Sequence, residues 1–334
     1  MNRWAARWVL LAFSSSAALG CSSETLTGGV GEPVQVRYGS GRNAQFIDGA
    51  MPGSKPLTDA EVLSGVKPQV PSVSLDISVG VVREADTGFT ASGTTSNEAV
   101  AVAVRFLDLG SGYWVFPVTS QDPTKPGTFG WNANIDFGAG IPPGLHPLGA
   151  VAIDANGNAG SQFATSLCVA SDIPDNLSAC LPGTKPPFSV LSLAWDTPVD
   201  LDLRVITPQG KIVDPKHPNT ALAVNGKVDP TAKGTGIFDT DTGRNCVTTG
   251  HRRENLVWQD PQLAGTYYVY ASLYDACGQA AVRFDLSLNR PGPVLKDGTQ
   301  PLQSTYEQAG ELLAIDADAG AKLGLFVTEF NVQP

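Results

Sequence analysis

The sequence predicts an all-β protein, arranged as two tandem β-sandwich domains after a signal peptide and a flexible tether. Three observations carry that expectation. Charged residues make up only 16%, Gly (36) and Pro (25) are numerous, and long Ala/Leu/Glu/Lys stretches are absent, so turns are favoured over helices. Apolar residues alternate with period two in several short runs, as half-buried strands require. Turn signals separate those runs at regular spacing, the pattern of Greek-key sandwiches.

The chain opens with a basic stretch holding Arg3 and Arg7, followed by a short apolar run from Trp8 to Phe13 and by Ser14 to Ala18. That order is the layout of a secretory signal over residues 1–20. Cys21 then follows Ala18-Leu19-Gly20. These residues resemble the lipobox of bacterial lipoproteins. The resemblance implies cleavage before Cys21 and acylation, palmitate included, of its thiol and new amine. Several chains on one residue give stable membrane attachment, since each buried CH₂ contributes about 0.8 kcal/mol. Ser22 and Ser23 stand where Asp tends to mark retention at the inner membrane, so the resemblance implies a lipid-anchored place in the cell envelope, at the outer membrane. The alternative reading is an ordinary secretory signal, with Cys21 a free or paired thiol. No later run approaches the roughly 18 apolar residues of a spanning helix. Removing residues 1–20 takes away Arg3 and Arg7 and no acid, so the net charge moves from −10 to −12. Such a body is a poor match for nucleic acid and suits divalent cations.

Residues 21–69 read as tether and lead-in, with one short helix near 57–63 that Thr58 and Glu61 would cap. Residues 70–170 read as the first sandwich. Val73 to Val79 alternates cleanly, and Ala99 to Leu107 is apolar on both parities, which suits a central strand. Asp154-Ala155-Asn156-Gly157-Asn158 suits a type I′ hairpin turn. The segment from Gly144 to Asn158 resembles the last strands of bacterial immunoglobulin-like domains. Residues 171–187 hold Pro174, Pro182, Pro186 and Pro187 and read as a linker. Residues 188–334 read as the second sandwich, with edge strands at 312–315 and 323–332 after a crossover.

The second sandwich carries a further resemblance. Trp195-Asp196, Val199-Asp200-Leu201-Asp202-Leu203-Arg204-Val205 and Pro208-Gln209-Gly210 come first. Gly236 to Asp241, Glu254-Asn255-Leu256-Val257-Trp258 and Gly265-Thr266-Tyr267-Tyr268-Val269 follow in order. Together these resemble the YfaP-type family of bacterial extracytoplasmic β-sandwiches. They also resemble pre-peptidase C-terminal domains, appendages of secreted enzymes of which some bind calcium. The resemblance implies a β-sandwich fold in a family without an established activity.

The residues have their own physical reading. On a strand, Leu201, Leu203 and Val205 share one face while Asp200, Asp202 and Arg204 share the other. Asp239 and Asp241 repeat the spacing. If the two strands pair, these four carboxylates converge and repel, and a Ca²⁺ ion with its 6–8 oxygens would relieve them. The alternative is a solvated face partly neutralised by Arg204.

Four cysteines remain after Cys21. An exported chain meets an oxidising compartment, so an even count reads as two disulfides. Three pairings are possible, and closeness in sequence favours Cys168–Cys180 and Cys246–Cys277. His146, His217 and His251 sit in unrelated contexts, and no HExxH, GxSxG or phosphate-loop motif is present. Tyr267 to Tyr270 places aromatics on both strand faces, which suits either a protein or glycan contact or cross-strand packing. The expected function is a non-catalytic, envelope-anchored binding or adhesion module. An accessory module of secreted hydrolases and a structural envelope spacer are the alternatives.

Overall fold

The computed structural model describes residues 25–333 except 27, 30, 38–43, 120, 122–124 and 248–249. The expected signal segment, Cys21 and its neighbours lie outside the described residues. Strand accounts for 49% and helix for 4%, so strands supply most of the core residues.

The first core lies between two sheets. One orders Thr25–Leu26, Val34–Arg37, Thr128–Phe137, Phe89–Ser96 and Asp76–Ile77. The other orders Gln45–Asp48, Gly112–Pro117, Ala99–Phe106, Gly144–Asp154, Phe163–Ala170 and Val81–Arg83. Val102, Val104, Phe106, Phe116, Trp131 and Ile135 fill the space between them. Ala99–Phe106 is central, as its double apolar parity requires. Its other face sets Ala103 against Met51 and Val151 in a small second cluster.

The lead-in is therefore part of this sandwich. Val34 and Val36 enter the main core, and Gln45–Asp48 pairs with Gly112–Pro117. Met51 closes the outer face, and Gln162 Nε2 donates to the Met51 carbonyl at 3.2 Å and the Pro52 carbonyl at 3.0 Å. Glycine-rich composition suggested a tether over 21–69, whereas the apolar residues between those glycines decide the outcome from residue 31 onward. The expected helix forms at Asp59–Leu63, with Thr58 and Glu61 closing its capping box. The Asn156-Gly157 step does not make a type I′ turn. The Gly157 N–H bonds the Asp154 carbonyl at 3.0 Å, and of the two only Gly157 has positive φ. The Asp154 carboxylate holds the turn by accepting from the N–H groups of Asn156 and Asn158.

The second core also lies between two sheets. One orders Gly236–Phe238, Arg253–Trp258, Ser189–Trp195, Ala281–Pro291 and Leu302–Leu313. The other orders Ile212–Val213, Asp200–Ile206, Gly265–Asp275 and Leu325–Val332. Leu193, Leu201, Leu203, Trp258, Tyr267 and Phe284 meet inside. The edge strand expected at 312–315 runs instead over Leu302–Leu313 and pairs along its length with Ala281–Pro291.

The segment between the sandwiches is docked against both. Cys168–Cys180 ties it to the first, and Ser178, Ala179 and Cys180 are buried. Ser178 Oγ donates to the Gln300 carbonyl at 2.6 Å, and the Gly183 N–H to the Gly298 carbonyl at 2.9 Å, both in the second. Its prolines exclude regular structure, as expected, but local turns at Asp175 satisfy its backbone.

Candidate functional site: an acidic pocket on the second sandwich

Asp200–Ile206 divides its faces as alternation dictates. Leu201, Leu203 and Val205 enter the core. Asp200, Asp202 and Arg204 point the other way, yet they are only 4%, 7% and 6% exposed. The solvated-face reading fails here, because loops cover the outer side of the sheet.

The covering loops come from three directions. Asp214 to His217 forms a turn closed by the Asp214 carboxylate, which accepts from the His217 N–H at 2.8 Å. Residues 241–247 cross the end of the strand, and the Asn245 N–H donates to Asp200 Oδ2 at 3.0 Å. Residues 317–322 lie over Arg204, which donates through Nη1 to the Lys322 carbonyl. Two glycines permit the close approach. A Cβ on Gly243 (φ 86°) would stand 2.5 Å from the Val199 carbonyl oxygen, and one on Gly320 (φ 79°) 3.0 Å from Arg204 Nη2.

Carboxylate oxygens of Asp200, Asp202 and Asp241 lie within 4.8 Å of one another. They face a cavity of about 360 Å³ that Asp214, Lys216, Arg244, Asn245 and Tyr274 also line. Lys216 lies over the Tyr274 ring, its Nζ 5.0 Å from the ring centroid. Arg204 is shared, with Nη2 3.5 Å from Asp202 and Nε 4.0 Å from Asp214. Asp202 accepts no hydrogen bond among the described residues. Glu254 lies behind the cluster, fully buried, and accepts from the N–H of Leu203 at 2.8 Å and of Thr242 at 3.3 Å.

These surroundings disfavour charge. Burial, followed by the neighbouring charge of Asp200, pushes the Asp202 carboxyl up to about 7 against the opposing pull of Arg204. Burial raises Asp200 as well, with Asp241 and Asp275 adding repulsion against the Asn245 N–H. Glu254 is raised well above its ordinary value by burial and then by Asp202. The group set is thus rich in oxygen ligands, compensated in part by Arg204 and by Arg244, whose Nη1 stands 3.9 Å from Asp241, and it fits a hard divalent cation.

Of the four carboxylates expected to converge, three do. Asp239 stands apart, its two oxygens accepting from the Asn255 N–H at 3.0 Å and the Asn255 Nδ2 at 2.7 Å. Gly236–Phe238, which precedes it, belongs to the opposite sheet from Asp200–Ile206, so the two strands do not pair. Asp241 joins because the loop beyond that strand crosses the sandwich edge. Sequence reasoning missed Asp214 and Glu254. Glu254 was legible, since it shares strand parity with the core residues Leu256 and Trp258.

Both expected disulfides are present, Cys168–Cys180 and Cys246–Cys277. His146 is buried, with Nδ1 2.7 Å from Asp108 and Nε2 2.8 Å from the Pro142 carbonyl. His217 pairs with Asp214 at 2.9 Å, and His251 is exposed. On the outer face of the same sheet Tyr268 is exposed, while Tyr270 packs edge-on against Phe326. A larger open cleft of about 1210 Å³ lies where the intervening segment meets both sandwiches, lined by Arg83, Asp172, Asp239, Arg252 and Asn255 among others.

No protein-family model and no curated protein matches the chain. Among solved structures, one similar chain is described as "Complete structure of manganese lipoxygenase of Gaeumannomyces graminis and partial structure of zonadhesin of Komagataella pastoris". It is 9% identical over 73% of this chain and 95% of its own, with a TM-score of 0.20. Another is dimeric latent PorU from Porphyromonas gingivalis, 11% identical over 77% of this chain and 31% of its own, with a TM-score of 0.18. At those scores neither likeness informs the fold or the site.

Proposed function

We propose that this protein is a lipid-anchored envelope module without catalytic activity, whose second sandwich binds calcium or another hard divalent cation and whose surface binds a protein or glycan ligand. The observation that carries the cation is the group Asp200, Asp202 and Asp241, three carboxylates within 4.8 Å at one cavity. Three carboxylates supply three to six of the oxygens calcium takes, and water supplies the rest. The cation would neutralise the mutual repulsion of the cluster and hold residues 241–247 to the strand end. Attachment through Cys21 rests on the residues before it, and the acidic body suits a solvated module on a tether.

The test uses the Cys21→Ser chain. Wild type is expected with membranes and the variant in the soluble fraction; a membrane-bound variant of unchanged mass removes the lipoprotein reading. The soluble variant is then melted in calcium and in chelator. Extracellular modules bind calcium at about 10⁻⁴–10⁻³ M, and at ten times the dissociation constant the ion adds about 1.4 kcal/mol. A melting temperature that rises in millimolar calcium is the expected result, and Asp200→Asn with Asp241→Asn should abolish the rise. Identical melting in both conditions discards the cation.

A further inference from the structure

The two disulfides occupy opposite surroundings. Cys168 and Cys180 are 5% and 4% exposed. Cys246 is exposed and Cys277 is half-buried. The backbone at the second bridge is left-handed at three residues with side chains, Asn245 (φ 55°), Cys246 (φ 60°) and Cys277 (φ 50°). Asparagine adopts that conformation readily, whereas a cysteine holds it only where its surroundings enforce it. On the Cys277 side the backbone is held by a turn, with the Cys277 N–H donating to Asp275 Oδ1 at 2.7 Å and the Gln279 N–H to the Ala276 carbonyl at 2.8 Å. The Cys246 N–H bonds the Gly243 carbonyl at 2.8 Å, the Val247 N–H the Arg244 carbonyl at 3.2 Å, and the Asn245 N–H the Asp200 carboxylate. The same short turn follows directly on Asp241. The bridge therefore ties one wall of the acidic pocket to the end of Gly265–Asp275, next to Cys277.

We infer that Cys246–Cys277 is a thiol–disulfide exchange site for a dithiol reductant, and that its redox state controls the acidic pocket. The control of cation affinity rests on the cation reading above; the exchange itself does not. The reductant's thiolate attacks the exposed Cys246 sulfur, the S–S bond breaks, and Cys277 leaves as a thiolate that takes a proton. The second thiol of the reductant then attacks the mixed disulfide. Cys246 is released and protonated, and the reductant departs as its own disulfide. Two electrons and two protons pass to the protein. Exposed or strained bridges are the labile ones, whereas the buried Cys168–Cys180 pair is shielded from attack. Once reduced, the turn relaxes from its left-handed conformation. The Asn245 N–H then leaves Asp200, and Asp241 is freed from the cluster.

The full-length Cys21→Ser chain is titrated with dithiothreitol, and opened cysteines are mapped by alkylation. The 246–277 bridge should open at a reductant concentration at least tenfold below that for 168–180. Amide exchange at Asn245 should rise at least tenfold on that first step, and calorimetry should show the calcium dissociation constant rising about tenfold. Simultaneous opening of both bridges, or unchanged exchange at Asn245, overturns the inference. The Cys246→Ser and Cys277→Ser double variant should reproduce the reduced protein without reagent. Tight calcium binding by that variant, equal to oxidised wild type, also overturns the inference. If oxidised wild type takes no calcium, the cation reading fails alone, and the order of opening with exchange at Asn245 still decides the redox device.

Discussion

Each sandwich covers the outer face of one of its sheets, but with opposite chemistry. In the first, Met51 lies on Ala103 and Val151, and the hydrogen bonds around it are neutral. In the second, three loops close over Asp200, Asp202 and Arg204, all buried. An apolar cover is favourable by itself, at roughly 25 cal/mol per Å² removed from water. A cover over charges costs desolvation that only good pairing offsets. The first arrangement needs no partner. The second leaves Asp202 with a shared guanidinium and, among the described residues, no hydrogen bond, a state that a cation or a proton relieves. The cover that costs stability is the one that holds the candidate site.

Removing Arg204 tests the contrast most severely. Arg204→Ala leaves Asp202 and Asp214 buried without their shared cation, and such a loss costs about 3–5 kcal/mol. Urea unfolding at neutral pH in chelator should show it, and calcium should recover part of the loss. A variant as stable as wild type would mean that the pocket is better hydrated than its burial implies.

The pH dependence comes next in size. The Asp202 carboxyl moves from about 3.8 up to about 7 on folding. A raised acid binds its proton more tightly in the folded state, so its contribution is fully present only while the folded group stays protonated. Metal-free stability should therefore fall as pH rises from about 4 to about 7 and level off above, by on the order of 2–4 kcal/mol. Burial of Glu254 acts in the same direction. Asp202→Asn should flatten the dependence and make the chelated protein more stable at pH 7.5. A profile that rises over that interval would contradict the raised carboxyl.

The smallest expected effect is on the first sandwich. Met51→Ala should cost about 2 kcal/mol through lost burial and an unfilled space. That loss should be the same at pH 5 and pH 7.5 and with or without calcium, as measured by denaturant midpoint. A calcium-dependent loss would couple the two covers and remove the distinction between them.

Much of the fold was legible because strand parity is a local property. The double apolar parity of Ala99 to Leu107 placed that strand centrally, and alternation set Leu201, Leu203 and Val205 inward. The helix cap at Thr58 and both disulfides were legible for the same reason, since each joins residues close in sequence. The lead-in was not, because its strands acquire a role only beside Gly112–Pro117 and Thr128–Phe137, far along the chain.

The candidate site divides along the same line. Sequence alone determined that Asp200, Asp202 and Arg204 share one face, because a strand has period two. Tertiary structure decided that this face is covered, that Asp241 reaches it while Asp239 serves Asn255, and that Glu254 lies beneath it. The loops that do this begin at residues 214, 241 and 317 and converge only when the sheets have packed. Local alternation fixes where a side chain points along a strand; what meets it there is set by segments whose sequence distance carries no signal.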